Sequence, residues 1–229
     1  MKPDADKATY RLDWQEVRHD WPAWLALVGS FVAGILLYPA LPERVPIHWN
    51  LAGQVDGYGS RAMGAFFLPV MNLAIYKILL LIPLVDPKRA NYARFASFYR
   101  GVRIILTFFL AVLHAVTLFV ALGRPVDLPL VVSLGMSLLF LYLGHSLSRV
   151  QQNYFFGIRT PWTLADEEVW RRTHRLGGRL FMAIAVLPWL TWPFARQAAS
   201  LILLFGVAAA AMATILYSAV LYHRTAGRQ

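Results

Sequence analysis

The sequence predicts an all-α integral membrane protein of six transmembrane helices with cytoplasmic N- and C-termini. Three observations carry that fold class. Apolar runs of about 20 residues, the length a bilayer demands of a helix, recur along the 229-residue chain. Hydrophobic residues make up 58% of it and charged residues 15%, more apolar material than a soluble domain of this size can bury. Lys and Arg also alternate in density between successive short polar segments, as orientation signals do.

Residues 1–20 mix acids and bases, and the apolar run after them, 21–41, exceeds the roughly 7–15 residues of a cleavable signal core, so it reads as a retained span. Tyr10, Trp14, Val17 and Trp21 recur at i, i+4, i+7 and i+11, the face of a helix lying on the cytoplasmic membrane surface. The six spans are 21–41, 63–85, 101–123, 128–147, 176–194 and 198–222. Pro69, Pro83 and Pro188 predict kinks within them. Ala26, Ser30 and Gly34 in the first span, and Gly206, Ala210, Thr214 and Ser218 in the last, repeat at four-residue spacing, which lets helices approach closely within the chain. The whole is expected to be one membrane domain in three stretches. These are a cytoplasmic segment (1–20), two spans joined by an extracytoplasmic loop at 42–62 (21–85), and a four-span region (101–222) holding a cytoplasmic loop at 149–178.

Orientation follows the basic residues. One set of segments holds Lys2, Lys7, Arg11 and Arg18, then Lys88, Arg89, Arg94 and Arg100, then Arg149, Arg159, Arg171, Arg172 and Arg175, and finally Arg224 and Arg228. The other holds only Arg44, Arg61, Arg124 and Arg196. This scatter over several loops explains the net charge of +10 without a nucleic-acid stripe. The absence of cysteine excludes disulfides, Cys-ligated zinc and a cysteine nucleophile.

The cytoplasmic stretch from 153 to 178, NYFFGIRTPWTLADEEVWRRTHRLGG, concentrates the charged, aromatic and turn-forming residues. Thr160-Pro161 sets up a helix start, with Thr163 and Asp166 spaced as a capping box. Beyond it Val169, Trp170, Thr173 and Leu176 fall on one face, while Glu167–Arg171 and Glu168–Arg172 are spaced as acid-then-base pairs. Spacing alone describes an interfacial helix. Arg159, on the Gly157-to-Pro161 turn, calls for a partner, and Glu168 and His174 are the expected acceptors, with Asn153 bonding the turn and Trp170 anchoring the helix at the membrane surface. In the outer loop, 41–61 reads LPERVPIHWNLAGQVDGYGSR, a turn region rich in Pro and Gly. His48 and Asp56 make a start on a metal site but lack further ligands nearby, and Asn50 and Asp56 are the residue types that shape turns.

Both stretches resemble the SdpI family, bacterial membrane proteins named after an immunity protein against a secreted toxic peptide. The cytoplasmic motif resembles the family's signature, and the Pro…His-x-Asn…Gly…Asp pattern resembles the small domain of unknown function found near the N-terminus of such proteins. Together they span about 41 to 178, in the family's order. Residues 1–20 fall outside that pattern. The resemblance implies a membrane immunity or signalling protein that meets a secreted peptide outside and reports it at a cytoplasmic loop, where a repressor is the implied partner. The expected ligand-facing residues are His48, Asn50, Gly53 and Asp56. The expected docking or coupling residues are Asn153, Gly157, Arg159, Thr160, Pro161, Glu168, Trp170 and His174.

Within the spans, Lys77, His114 and His145 are ionisable. Each has a structural reading beside the functional one: snorkelling for Lys77, a wet helix end for His145, and a satisfied core histidine for His114. These groups also leave open a small-solute or proton-coupled transporter, although no matched pair of broken helices is evident. General envelope homeostasis is the third reading. Gly-x-Ser-x-Gly and His-Glu-x-x-His are absent, so no enzyme, cofactor or metal site is expected.

Overall fold

The computed structural model describes residues 10–50, 52–192, 194 and 196–226. The first nine residues of the expected surface helix, with Lys2 and Lys7, lie outside the described residues, as do Leu51 of the 42–62 loop and Arg228. The chain is mostly helical. In order run α1 (Trp14–His19), α2 (Trp21–Leu37), β1 (Arg44–Trp49), β2 (Val55–Ser60), α3 (Arg61–Val85), α4 (Arg89–Tyr92), α5 (Ala96–Ala121), α6 (Leu128–Ser146), α7 (Pro161–Ala165), α8 (Glu167–Thr191) and α9 (Arg196–Ala226). Five helical stretches among the described residues are long and apolar enough to cross a membrane: Trp21–Ala40, Arg61–Val85, Ala96–Ala121, Leu128–Arg149 and Leu201–Thr225. The expected span at 176–194 overlaps α8 over 176–191, and the first turns of α8 are polar.

The expectation of an all-α chain is corrected at 44–60, where two strands pair antiparallel. Val45, Ile47, Trp49 and Val55 are β-formers, and the Asn50 turn reverses the chain between them. α1 is shorter than the expected surface helix. Asp13 caps its start, accepting the Glu16 N–H at 2.9 Å, and Tyr10 precedes it, buried rather than on its exposed face.

Two compact units partition the chain. The hairpin unit comprises Asp13–Leu80 and Arg103–Gly135. Its core gathers Leu41, Val45, Ala65 and Leu118, so Val45 seats the hairpin on α3. In α3, Pro69 has no N–H to give the carbonyl of Ala65 four residues earlier. His114 of α5 supplies the donor instead, its Nε2 lying 3.0 Å from that oxygen. This buried histidine is therefore a satisfied core residue. Asn72 likewise donates to the Thr107 carbonyl at 3.0 Å. Lys77 lies exposed on α3.

The signature unit comprises Met1–Leu12, Leu81–Val102 and Met136–Gln229. An aromatic cluster of Tyr10, Tyr92, Phe95, Phe98, Tyr99 and Trp170 fills its core. α6 and α8 pack backbone to backbone at Gly144 and Gly178, where a Cβ on either would stand 2.7 Å from the other's carbonyl oxygen. Ala210, Thr214 and Ser218 of α9 are buried, as their small-residue spacing predicts for packing within the chain. His145 is exposed near the end of α6.

Candidate functional site

The signature stretch is built around Asn153, which is completely buried. Its Oδ1 accepts the backbone N–H groups of Phe155 (3.0 Å) and Phe156 (2.6 Å) and the Tyr92 hydroxyl (3.2 Å), while its Nδ2 donates to the Gln151 carbonyl at 2.9 Å. Asp86 completes the turn by accepting the Tyr154 N–H at 2.9 Å and the Tyr92 hydroxyl at 3.1 Å. Burial and the Asp86 carboxylate push the Tyr92 phenol far above its ordinary range, so it stays a donor. Gln152 donates to the carbonyls of Thr163 (2.7 Å) and Leu164 (2.9 Å) and accepts from the Lys88 ammonium. The loop's backbone polar groups thus go to specific side chains, as burial away from water requires.

The helix after the loop is two helices. Thr160 caps α7, with Pro161 at its first position, and forms a reciprocal capping box with Thr163. The expected cap at Thr163 is therefore one turn late, and Asp166 is the N-cap of α8, accepting the Val169 N–H at 2.8 Å. The extended backbone of Asp166 ends one helix and starts the next. Trp170 does not anchor the surface. It is buried, donates from Nε1 to the Val150 carbonyl at 2.8 Å, and stacks on His174 at 4.0 Å between ring centroids.

His174 is fully buried and has both ring nitrogens engaged. Its Nδ1 lies 2.8 Å from the Trp170 carbonyl, which can only accept, and its Nε2 accepts the Ile158 N–H at 3.0 Å. That arrangement requires the neutral ring, and burial holds its pKa down to about 4. Gly157 makes the approach feasible: its φ is 107°, and a Cβ there would stand 2.4 Å from His174 Nε2.

Arg159 is not paired with Glu168 or His174. Its Nη1 donates to the Tyr154 carbonyl at 2.8 Å, inside its own loop. Glu168 instead holds two neighbours on α8, Arg171 and Arg172, each at 2.6 Å, and these guanidiniums lower its pKa to about 2. The expected Glu168–Arg172 pair is present, but Arg171 turns to Glu168 rather than Glu167. Arg159, Tyr154 and Phe155 all stand exposed.

The hairpin carries the second candidate set. Asn50 Oδ1 accepts the N–H groups of Ala52 and Gln54, both at 3.0 Å, and Gly53 takes φ 77° to close the turn. Register breaks on either side of His48 bring its ring beside Asp56, Nδ1 to Oδ1 2.5 Å. Both side chains face outward, with 72% and 43% of their surface exposed. No cluster of three metal-ligating side chains exists among the described residues. Elsewhere in the same unit an apolar cavity of about 230 Å³ opens, lined by Ile47, Trp49, Met63, Phe67, Leu113 and Leu128 and by neither His48 nor Asp56.

Sequence reasoning missed one further cluster. Arg103, within the expected third span, is buried, and its guanidinium clamps Asp20 through Nε (3.1 Å) and Nη2 (2.9 Å). The Tyr76 hydroxyl donates to the same carboxylate at 2.7 Å, and Glu16 lies 3.6 Å from Nη2. An arginine in an apolar run was the available signal. Its partner lies 83 residues away, beyond the reach of spacing arguments.

Comparison with known proteins agrees with both motifs. A model of the SdpI/YfhL protein family matches residues 149–218, and a model of a domain of unknown function, DUF1648, matches 25–73. The immunity protein SdpI of Bacillus subtilis (strain 168) is 27% identical over 198 residues, covering 85% of this chain and 89% of the relative. The uncharacterized membrane protein YbgB of the same organism is 35% identical over 48 residues, covering 21% of this chain and 53% of the relative. No solved structure matches.

Proposed function

This chain is a multi-pass bacterial membrane protein of the SdpI family, and from that premise we propose that it is an immunity protein which binds a secreted antimicrobial peptide at the hairpin and answers at the signature loop. The observation that carries the reading is likeness along 85% of the chain to a protein named for immunity, including both polar stretches. The hairpin supports it by presenting the exposed His48–Asp56 pair and by lending Ile47 and Trp49 to an apolar cavity, and Asn50 and Gly53 fix the turn between its strands.

The proposed topology has six spans, with α8 supplying the fifth, both termini in the cytoplasm and the hairpin outside. The basic-residue asymmetry supports it. In this reading Arg159, with Tyr154 and Phe155, is the face that docks a cytoplasmic repressor, and the Asn153, Gly157, Thr160 and His174 contacts hold that face in shape.

Two experiments test these statements. In a sensitive host challenged with supernatant from a peptide-producing strain, the chain should protect, and His48→Ala and Asp56→Asn should abolish protection at unchanged membrane levels. Full protection by both variants places recognition elsewhere, and no protection by the parent removes the immunity reading. Single cysteines at Ser60 and Ser148 should react oppositely with an impermeant thiol reagent on intact cells, Ser60 alone being labelled. Labelling of both, or of Ser148 alone, overturns the topology.

A further inference from the structure

The N-terminal corner of the hairpin unit holds a groove apart from both candidate sites. α1 and α2 meet at Asp20, and the angle between them encloses a groove of about 600 Å³. Trp14, Val17, Trp21, Trp24, Leu25 and Val28 line it. One charged side chain, Arg18, stands among them, and it is exposed. Trp14 and Trp21 are also largely exposed, at 75% and 60%.

The groove is preformed. Asp20 at its apex is fixed by the bidentate Arg103 contact and the Tyr76 hydroxyl. Tyr76 in turn meets Trp24 edge-to-face at 5.0 Å, so the wall of the groove and its apex are locked by the same residue. Three buried groups, Asp20, Arg103 and Tyr76, thus fix a recess whose lining, Arg18 apart, is apolar. Its α2 flank belongs to a helix long and apolar enough to span a bilayer, and its α1 flank carries the cation.

We propose that this groove binds one anionic phospholipid, its acyl chain lying along Trp21, Trp24, Leu25 and Val28 and its phosphate meeting Arg18. Charge complementarity selects the occupant: a single cation at the mouth of an apolar recess matches a molecule with one anionic head and an apolar tail. Tryptophans flanking the mouth are suited to the headgroup boundary, where an apolar ring and a polar N–H are both satisfied. The proposal gives residues 14–28 a binding role independent of peptide recognition.

Native mass spectrometry of the full chain, released from detergent micelles and titrated with phosphatidylglycerol or phosphatidylcholine of identical acyl chains, tests it. The parent should retain one phosphatidylglycerol about fivefold more tightly than phosphatidylcholine, the effect of a single basic residue near an anionic head. Arg18→Gln should erase that preference without changing phosphatidylcholine binding, and Arg18→Lys should keep it. Arg18 is exposed, so neither change should move the unfolding midpoint, which is measured alongside. Trp24→Phe, which trims the groove wall, should weaken both lipids together. Equal retention of the two lipids by the parent, an unchanged preference in Arg18→Gln, or a second copy of the chain in place of the lipid would overturn the proposal.

Discussion

Asn50 and Asn153 turn the chain by the same device in opposite settings. Each uses Oδ1 to accept two backbone N–H groups a few residues ahead, Ala52 and Gln54 in one case, Phe155 and Phe156 in the other. Asn50 does this in water at the tip of the hairpin, and its amide donates to the neighbouring Gln54 side chain. Asn153 does it with no exposed surface and adds the Tyr92 hydroxyl and the Gln151 carbonyl. In water a lost turn bond is replaced by solvent. In the buried loop each donor left behind keeps its full desolvation cost. The hairpin therefore keeps its polar groups largely in contact with water, whereas the signature loop has committed most of its own to internal structure and leaves Arg159, Tyr154 and Phe155 exposed.

The largest expected effect tests that difference directly. Asn153→Ala strands the Phe155 and Phe156 N–H groups, at about 1–3 kcal/mol for each left unpaired, and leaves the Tyr92 hydroxyl with Asp86 as its acceptor. A loss of about 4 kcal/mol in unfolding free energy, measured by denaturant titration in micelles, is expected, with a matching fall in folded protein in the membrane. A loss under about 1 kcal/mol would mean that water enters the loop, and the contrast with Asn50 would vanish.

The second effect comes from pH. His174 has an ordinary value of 6.5 when unfolded and about 4 when folded, because burial disfavours its charged form. Between those values the unfolded chain binds the proton and the folded chain does not, so stability falls as pH drops from 6.5 towards 4 and levels off below. The slope approaches about 1.4 kcal/mol per pH unit, a total near 3 kcal/mol. Unfolding midpoints across this range should show the loss in the parent and a flatter profile in His174→Gln. An unchanged profile in that variant would assign the pH dependence to other groups.

How much of this was legible in the sequence follows from the range of each interaction. Spans depend on local composition, and five of the six expected ones coincide with long apolar helices. The sixth is blurred because α8 is polar at one end and apolar at the other. The pattern of buried positions on α8 was legible too, since Val169, Trp170 and Thr173 are all buried. What was misread depends on distant partners. Trp170 looked like a surface anchor because its acceptor, the Val150 carbonyl, belongs to another turn. Spacing offers Arg159 the Glu168 and His174 side chains, but the nearer Tyr154 carbonyl takes its guanidinium, and Arg171 and Arg172 occupy Glu168. The hairpin was read as a turn region because six-residue strands containing Pro46, Gly57 and Gly59 give a weak alternating signal.

Smaller effects are expected at the hairpin. Asn50→Ala removes two exposed turn bonds that water replaces, so about 1 kcal/mol is expected by the same titration. Asn50→Asp should restore most of it, because a carboxylate oxygen accepts the same two N–H groups. A loss as large as that of Asn153→Ala would show the hairpin to be as structurally committed as the signature loop.

The smallest effect is the one on which the functional reading rests. His48 and Asp56 touch each other across a register break, but most of the His48 surface lies in water. Exposed ion pairs contribute on the order of 0–1 kcal/mol, and Asp56→Asn retains an oxygen that can accept from the ring. Asp56→Asn should therefore shift unfolding free energy by no more than about 0.5 kcal/mol, the range of ordinary surface substitutions. That near-neutrality makes the protection assay interpretable: a stable, normally inserted variant that fails to protect has lost a contact rather than a fold. If Asp56→Asn instead costs as much as Asn50→Ala, the pair serves the hairpin's architecture, and its exposure no longer argues for a ligand.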